Sequence, residues 1–379
     1  MPTKSDLLQR QALPLSAKVS MSKVRIREWY NHFNGDVCVS FSGGKDSTVL
    51  AHLVHDLYPD VPLVFSNTGL EYPEIQSFAR KMGATFVRPS MRFDEVISKF
   101  GYPLISKETA EVITGARNIK NGTKVIHNLG KPTKRDDGYW LNWRRKSLQG
   151  VEPFDKGHFK KDKWLALAQE TCFMISQHCC GVMKKTPLKA YQHETGRFPY
   201  IGTLTDESYR REMAWIKNGC NAYDSKTPSS QPMSFWTEQD VLHYIKENNL
   251  EIASVYGDIV AVDASGFNYE PLPGVDCKLK CTGCQRTGCI FCLFGAHLDK
   301  GEGRFQALAR THPKQYEYCM SGGQWVDNPK FDPAAPMYDG DWKNWNPKKI
   351  WVPSKKGLGM KKVIDDCNAI YGKGFIRYE

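Results

Sequence analysis

The hexapeptide Ser42-Gly43-Gly44-Lys45-Asp46-Ser47 constrains the fold of this chain through what flanks it. Before it stands a short apolar run, Val37-Cys38-Val39-Ser40-Phe41, of the kind that forms a buried parallel strand. After it, Thr48-Val49-Leu50-Ala51-His52-Leu53-Val54 reads as a helix packed on that strand. A glycine pair at a strand-to-helix turn lets the backbone come close to a ligand, since no Cβ stands in the way. The first amides of the helix then face the opening with the positive end of its dipole, an arrangement suited to phosphate. Ser42, Ser47 and Thr48 add hydroxyl donors, and Lys45 adds a point charge. An ordinary Gly-Gly turn capped by Asp46 is the plainer alternative, and the agreement of strand, turn and helix weighs against it.

Strand and helix continue to alternate. Residues 17–33 have helical spacing ahead of the first strand, 61–65 read as a second strand, and 73–82 as a helix. Pro73 stands at the first position of that helix, where its missing N–H costs nothing. A third strand is expected over 84–87 and a helix over 93–100. Such alternation implies an α/β fold, a Rossmann-like parallel sheet with helices on both faces. Ligands then sit at the carboxyl ends of the strands, where the glycine loop and Asn67-Thr68-Gly69 both fall. Further along, helices are expected over 163–177, 206–217 and 304–311, and a strand over 200–203. A helix over 237–248 would start with a capping box of Thr237 and Asp240. The expected division is an N-terminal helical segment 1–34, an α/β domain 35–270 and a Cys-rich C-terminal module 271–379.

A chain of 379 residues is long enough to bury a sizeable core. No run approaches the roughly 18 apolar residues of a membrane helix, mean hydropathy is −0.50, and residues 1–16 lack the apolar core of a secretory signal. These features point to a soluble cytoplasmic protein, in which twelve cysteines argue for metal binding or redox chemistry over a disulfide frame. The net charge of +11 is unevenly placed. Residues 117–163 carry 13 Lys/Arg against 5 Asp/Glu, interleaved with Tyr139, Trp140, Trp143 and Phe154. Such an insertion either tracks a nucleic-acid backbone and stacks on bases, or is a solvated excursion whose aromatics pack on the domain. A second basic, tryptophan-bearing stretch at 343–362 poses the same choice.

Two CxxC pairs, Cys281/Cys284 and Cys289/Cys292, read most simply as a local zinc site. Only four residues separate them, far fewer than the roughly 15–20 of a zinc ribbon. Cys38, Cys172, Cys220 and Cys367 read as small apolar residues.

The glycine loop is not a Walker A loop, which needs four residues between its first glycine and Gly-Lys-Ser/Thr. It resembles the PP-loop of the ATP pyrophosphatase (adenine nucleotide alpha-hydrolase-like) superfamily, whose members cradle the pyrophosphate of ATP while the α-phosphate is attacked. Within it, the chain is similar to the phosphoadenosine phosphosulfate (PAPS) and adenosine phosphosulfate (APS) reductases. Asn67-Thr68-Gly69-Leu70-Glu71-Tyr72-Pro73-Glu74 resembles their Asp-Thr-Gly-x-x-Phe-Pro-Glu segment. Gly202 to Arg211 is similar to their Gly-x-Arg-x-x-Gln/Glu-Ser-x-x-Arg loop, and Trp236 to Val241 to their Trp-Thr-x-x-Asp-Val helix start. Cys179-Cys180 before Lys184-Lys185-Thr186-Pro187-Leu188, with Cys289 and Cys292 much later, resembles their four-thiolate [4Fe–4S] set. Zinc and reduced structural thiols stay open as alternatives. Cys277, Cys281 and Cys284 are then left for a second metal site, completed by Cys319 or a histidine, or for a reactive thiol.

Two departures separate the chain from plain reductases. Leu204 and Thr205 stand where the reductase loop carries arginine, and the Glu-Cys-Gly-Leu-His type tail is replaced by Gly374-Phe375-Ile376-Arg377-Tyr378-Glu379. The resemblance therefore implies an ATP-dependent enzyme that adenylates an acceptor, nucleic acid foremost, for sulfur transfer. Lys45, Asp46 and Arg211 would be catalytic, with Asp46 orienting the loop or helping to hold Mg²⁺. Ser42, Gly43, Gly44, Ser47, Thr48, Asn67, Thr68, Gly69 and Arg210 would bind the nucleotide. A sulfur-donor protein and a homo-oligomer are further expected partners. Reduction of PAPS or APS with an unusual thiol, Cys284 or Cys319, is the main alternative. A non-catalytic protein that binds nucleotide and nucleic acid is the other.

Overall fold

The computed structural model describes residues 2–117, 162–263, 265–266, 268–270, 277–334 and 345–379. The expected basic insertion thus lies almost wholly outside the described residues. The chain divides into two compact units, Met1–Ser90 with Met183–Cys289, and Met91–Val182 with Ile290–Glu379. This division interleaves segments and cuts across a linear order of helical, α/β and Cys-rich parts.

The first segment runs α1 (Lys4–Gln11), α2 (Leu15–His32), β1 (Val37–Phe41), α3 (Lys45–His55), β2 (Leu63–Ser66), α4 (Pro73–Lys81) and β3 (Thr85–Val87). The second unit opens with α5 (Phe93–Phe100), β4 (Leu104–Ile105), α6 (Lys107–Arg117) and α7 (Leu165–Glu170). The chain returns to the first unit through α8 (Thr186–Thr195), β5 (Phe198–Ile201), α9 (Tyr209–Asn218), β6 (Asn221–Ala222), β7 (Ser229–Ser230) and α10 (Glu238–Glu247). A small antiparallel sheet of β8 (Ile259–Val262), β9 (Asn268–Tyr269) and β10 (Lys278–Cys281) completes that unit.

The first unit is α/β, as the alternation predicts. Its six-stranded sheet has the order β3-β2-β1-β5-β7-β6, parallel throughout except where β6 meets β7. Val39 of β1 lies opposite Leu63 on one side and Tyr200 on the other. The strand is buried at Val37, Cys38, Val39 and Phe41, on both faces of its pleat. Helix α3 packs on β1 and β5, with α2 and α10 against it, and α8 packs on β2 and β3. Because the chain leaves β1 toward β2 on one side and toward β5 on the other, the strand order reverses there. The crevice at the carboxyl end of β1 is the natural ligand position of such a sheet.

Helix α10 starts as its capping box dictates, with Asp240 accepting from Thr237 N at 2.6 Å and Thr237 Oγ1 accepting from Asp240 N at 3.3 Å. Asp240 also accepts twice from the buried Lys18 ammonium, at 2.7 and 2.8 Å, which ties α10 to α2.

In the second unit β4 pairs in parallel with β11 (Leu293–Phe294). Helices α11 (Arg304–Thr311) and α12 (Pro313–Met320), the hairpin β12 (Gln324–Asp327) and β13 (Lys349–Val352), and α13 (Met360–Tyr371) follow. Of these only α11 was expected.

Three expectations need correction. The helix over 163–177 ends at Glu170, and 171–177 runs extended, with bridges from Phe173 to Trp351 and from Ile175 to Tyr102. Its apolar residues at 173 and 175 satisfy a period of two, and tertiary pairing selected that reading. The helix over 206–217 is broken at Ser208, which takes extended backbone between a 3₁₀ turn, Thr205–Glu207, and α9. The strand over 200–203 is shifted back to Phe198–Ile201 by its pairing with β1. No helix among the described residues is long and apolar enough to cross a membrane.

Candidate active site

The chain turns directly after β1. Gly43 has φ +70°, and a Cβ there would lie 2.8 Å from Ile75 Cγ2. Gly44 precedes α3 with extended backbone, and a Cβ there would crowd the hydroxyls of Ser42 and Tyr256, both at 3.3 Å. Gly43 is therefore demanded by the turn, while a side chain at Gly44 would need the neighbouring hydroxyls to shift. The serine and threonine hydroxyls close the loop on itself. Ser47 Oγ accepts from Ser42 N at 3.2 Å and donates to Gly44 O at 2.9 Å, and Thr48 Oγ1 donates to the same carbonyl at 3.0 Å. Ser42 is exposed. From the neighbouring strand, Gly202 follows β5 so closely that a Cβ there would lie 3.1 Å from Asp46 O.

Lys45 is buried, and its ammonium is held from two sides, by the Glu238 carboxylate and by Gln285 O at 3.0 Å. Its backbone N–H donates to Tyr256 OH at 3.2 Å, and that hydroxyl lies 2.5 Å from Thr287 Oγ1. The segment 281–288 thus folds against the glycine loop, bracing it through a carbonyl and a hydroxyl. Neither Tyr256, Thr287, Gln285 nor Glu238 was expected at the site. Only Glu238 carried a sequence signal, as the residue after a helix cap in a family-like segment.

Asp46 Oδ1 is buried with no hydrogen-bond partner among the described residues. Burial pushes its carboxyl up to about 6, helped by the Glu207 and Glu238 carboxylates and opposed by Lys45 and Arg286. Arg211 is ion-paired with Glu207, whose other oxygen accepts from Arg286 Nη2 at 2.7 Å. Arg211 therefore reaches the site's acidic partner, while the side chain of Arg210 lies outside the described residues.

At the end of β2, Thr68 N and Oγ1 donate to the buried Glu71 carboxylate at 3.1 and 2.7 Å, and Gly69 N donates to Asn67 Oδ1 at 3.3 Å. Lys184 Nζ lies 3.8 Å from Glu71 Oε1. A cavity of about 140 Å³ opens among Ser42, Ser66, Glu71, Lys184 and Thr287. The glycine loop, the 66–71 turn and Lys184 therefore share one opening, and Lys184 joins the candidate residues.

Cys179 and Cys180 lead into a single π-helical turn, Gly181–Lys185, and their Sγ atoms are 3.9 Å apart. Two thiolates on one tetrahedral ion stand about 4 Å apart at metal–sulfur distances of about 2.3 Å. The pair fits one edge of a thiolate site in kind and in spacing. Among the described residues no three His, Cys, Asp or Glu side chains are grouped to hold a metal ion, so the four-thiolate set with Cys289 and Cys292 and the second set with Cys277 stay expectations.

Cys281 is buried and Cys284 half-buried, and both feel the Lys45 charge. The Cys284 thiol donates to Arg286 O at 2.9 Å and is hydrogen-bonded by Tyr72, while burial raises its pKa. Cys319 is wholly buried with its thiol 3.4 Å from Met360 Sδ, and burial raises its pKa, so its expected role as a reactive thiol or metal ligand stays an expectation. Cys38, Cys220 and Cys367 are buried as expected of small apolar residues, and Cys172 is half-buried.

A family model described as phosphoadenosine phosphosulfate reductase domain matches residues 36–98 and 145–293. Comparison with curated protein sequences gave no match. Among solved structures, PAPS reductase from Candida auris in a phosphate complex is similar at 14% identity and a TM-score of 0.33, covering 67% of this chain and 91% of that one. The matched segments span more than half of the chain and contain the glycine loop, the 66–71 turn, Gly202 and the brace at 281–288, so the chain belongs to the phosphoadenosine phosphosulfate reductase domain family.

Proposed function

We propose that this protein uses ATP to adenylate an acceptor, with nucleic acid as the leading acceptor class, in preparation for sulfur transfer. The observation that carries the reading is the Gly43-Gly44-Lys45 turn at the strand-order reversal. It brings Gly43, Gly44 and the start of α3 to the carboxyl end of β1, beside the opening lined by Ser42, Ser66, Glu71, Lys184 and Thr287. In this reading an acceptor oxygen attacks the α-phosphorus, the bond to the bridging oxygen breaks, and pyrophosphate leaves onto Gly43, Gly44 and the α3 amides. Lys45 and Arg211 neutralise the charge that builds on the leaving group, the largest contribution expected for such a transfer. A sulfur nucleophile then displaces AMP from the acceptor.

The orphaned Asp46 Oδ1 fits a carboxylate that turns to a hard cation, so Asp46 would help hold Mg²⁺, which supplies further charge neutralisation. A metal on the Cys179–Cys180 edge, as a [4Fe–4S] cluster or as zinc, belongs to the same reading, and the iron, sulfide and zinc content of anaerobically purified protein tests it. The primary experiment is pyrophosphate release from Mg-ATP with and without tRNA and DNA. Release should depend on one of these acceptors and fall by at least about tenfold in Lys45→Met. A rate unchanged by that substitution would remove Lys45 from the mechanism.

A second reading, PAPS or APS reduction, is favoured by one observation: Cys284 stands beside Tyr72 and Lys45. Its thiolate would attack the sulfonate sulfur and expel the adenosine phosphate, leaving a thiosulfonate on Cys284 from which a second thiol displaces sulfite, the two thiols being oxidised to a disulfide. Sulfite formed from either nucleotide, and lost in Cys284→Ser, would establish this reading over adenylation.

A further inference from the structure

Every described cation at the mouth of the loop is already matched to a carboxylate. Arg211 and Arg286 share Glu207, and Lys45 is held by Glu238. Glu238 differs from Glu207 in its mounting. It is the first residue of α10, directly after the Thr237 cap, and its side chain is 52% exposed, whereas that of Lys45 is 6% exposed. The anion on Lys45 is thus the movable partner, and the cation is the fixed one. Gln285 O, the other acceptor on the ammonium, is uncharged and fixed by the brace, since Gln285 Nε2 donates to Gly283 O at 3.1 Å.

From this geometry we propose that Glu238 is a built-in competitor for the phosphate position of the nucleotide site. Its carboxylate occupies the phosphate position on Lys45 in the free protein and is exchanged for the phosphate of an arriving ligand. The proposal rests on the reading that the loop binds phosphate. An occupant that already neutralises Lys45 must be displaced before a ligand gains from that charge, so the carboxylate lowers the affinity of every phosphate-bearing ligand by the same exchange cost. A ligand without a phosphate to offer Lys45 has nothing to exchange. Near the α10 N-terminus a released carboxylate is still stabilised by the helix dipole, which limits the cost of its departure.

The test is equilibrium binding of pyrophosphate, Mg-ATP and adenosine to the full chain and to Glu238→Gln, Lys45→Met and the double variant, each checked for folding by its melting transition. Glu238→Gln should bind pyrophosphate and Mg-ATP about three- to tenfold more tightly and adenosine as before. The gain should vanish when Lys45 is already methionine, because the competition needs both charges. Unchanged or weaker pyrophosphate binding in Glu238→Gln, or an equal gain without Lys45, would overturn the proposal. If Lys45→Met binds pyrophosphate as the parent does, the phosphate reading itself fails. If that variant loses binding while Glu238→Gln gains none, only the role of Glu238 falls.

Discussion

Asp46 sits one residue past the loop lysine with one oxygen buried and without a hydrogen-bond partner among the described residues. Its carboxyl is raised to about 6 in the folded chain, first by burial and then by two nearby glutamates. An unfolded aspartate titrates near 3.9. A carboxyl raised on folding leaves stability at its fullest below the unfolded value and removes it as pH climbs through the folded one. Asp46→Asn should therefore be more stable than the parent by about 1–3 kcal/mol at pH 7–8 and indistinguishable at pH 4, as read from urea unfolding across pH. A pH-independent difference would show that the Asp46 charge is not what the fold resists. Gly43 and Gly44 were legible as loop residues because a glycine pair marks such a turn, and at Gly43 only glycine satisfies it. Glu238 and Tyr256 were not, because each reaches Lys45 from more than 190 positions away, and Thr287 reaches it only through Tyr256. No local pattern encodes such a meeting.

Among the elements, those with internal punctuation were the readable ones. The α10 cap pair and Pro73 at the start of α4 both mark helix starts by chemistry local to a few residues. Helix α7 lacks such a stop signal, and its end is set from elsewhere by Arg117. That guanidinium leaves the end of α6 and donates to the carbonyls of Leu167, Ala168, Thr171 and Phe173, with the Trp345 ring 4.1 Å from it. Arg117 was counted with the basic insertion, yet its charge is spent inside the second unit, and burial lowers its pKa to about 9. Arg117→Met should cost about 3 kcal/mol in unfolding free energy, since several buried carbonyls lose a charged donor at once. A loss below about 0.5 kcal/mol would mean that α7 ends without it. The tryptophans of the second basic stretch have similar structural work. Trp345 donates to Thr171 O at 2.7 Å and Trp351 to Gly359 O at 2.9 Å.

In the whole molecule the α/β sheet and its ligand edge were legible, because strand–helix alternation with short connections leaves few topologies. The interleaving of two units was not. It depends on β4 and β11, two-residue strands nearly 190 positions apart whose pairing joins the two segments of the second unit. Strands that short carry no period. In the proposed reaction the loop in the first unit directs attack at the α-phosphate of ATP. The most direct measurement is the identity of the products formed from Mg-ATP by anaerobically purified protein in the presence of tRNA or DNA. AMP and pyrophosphate in equal amounts, both lost in Lys45→Met, are predicted. ADP with inorganic phosphate, or sulfite from PAPS with no turnover of ATP, would contradict attack at the α-phosphate.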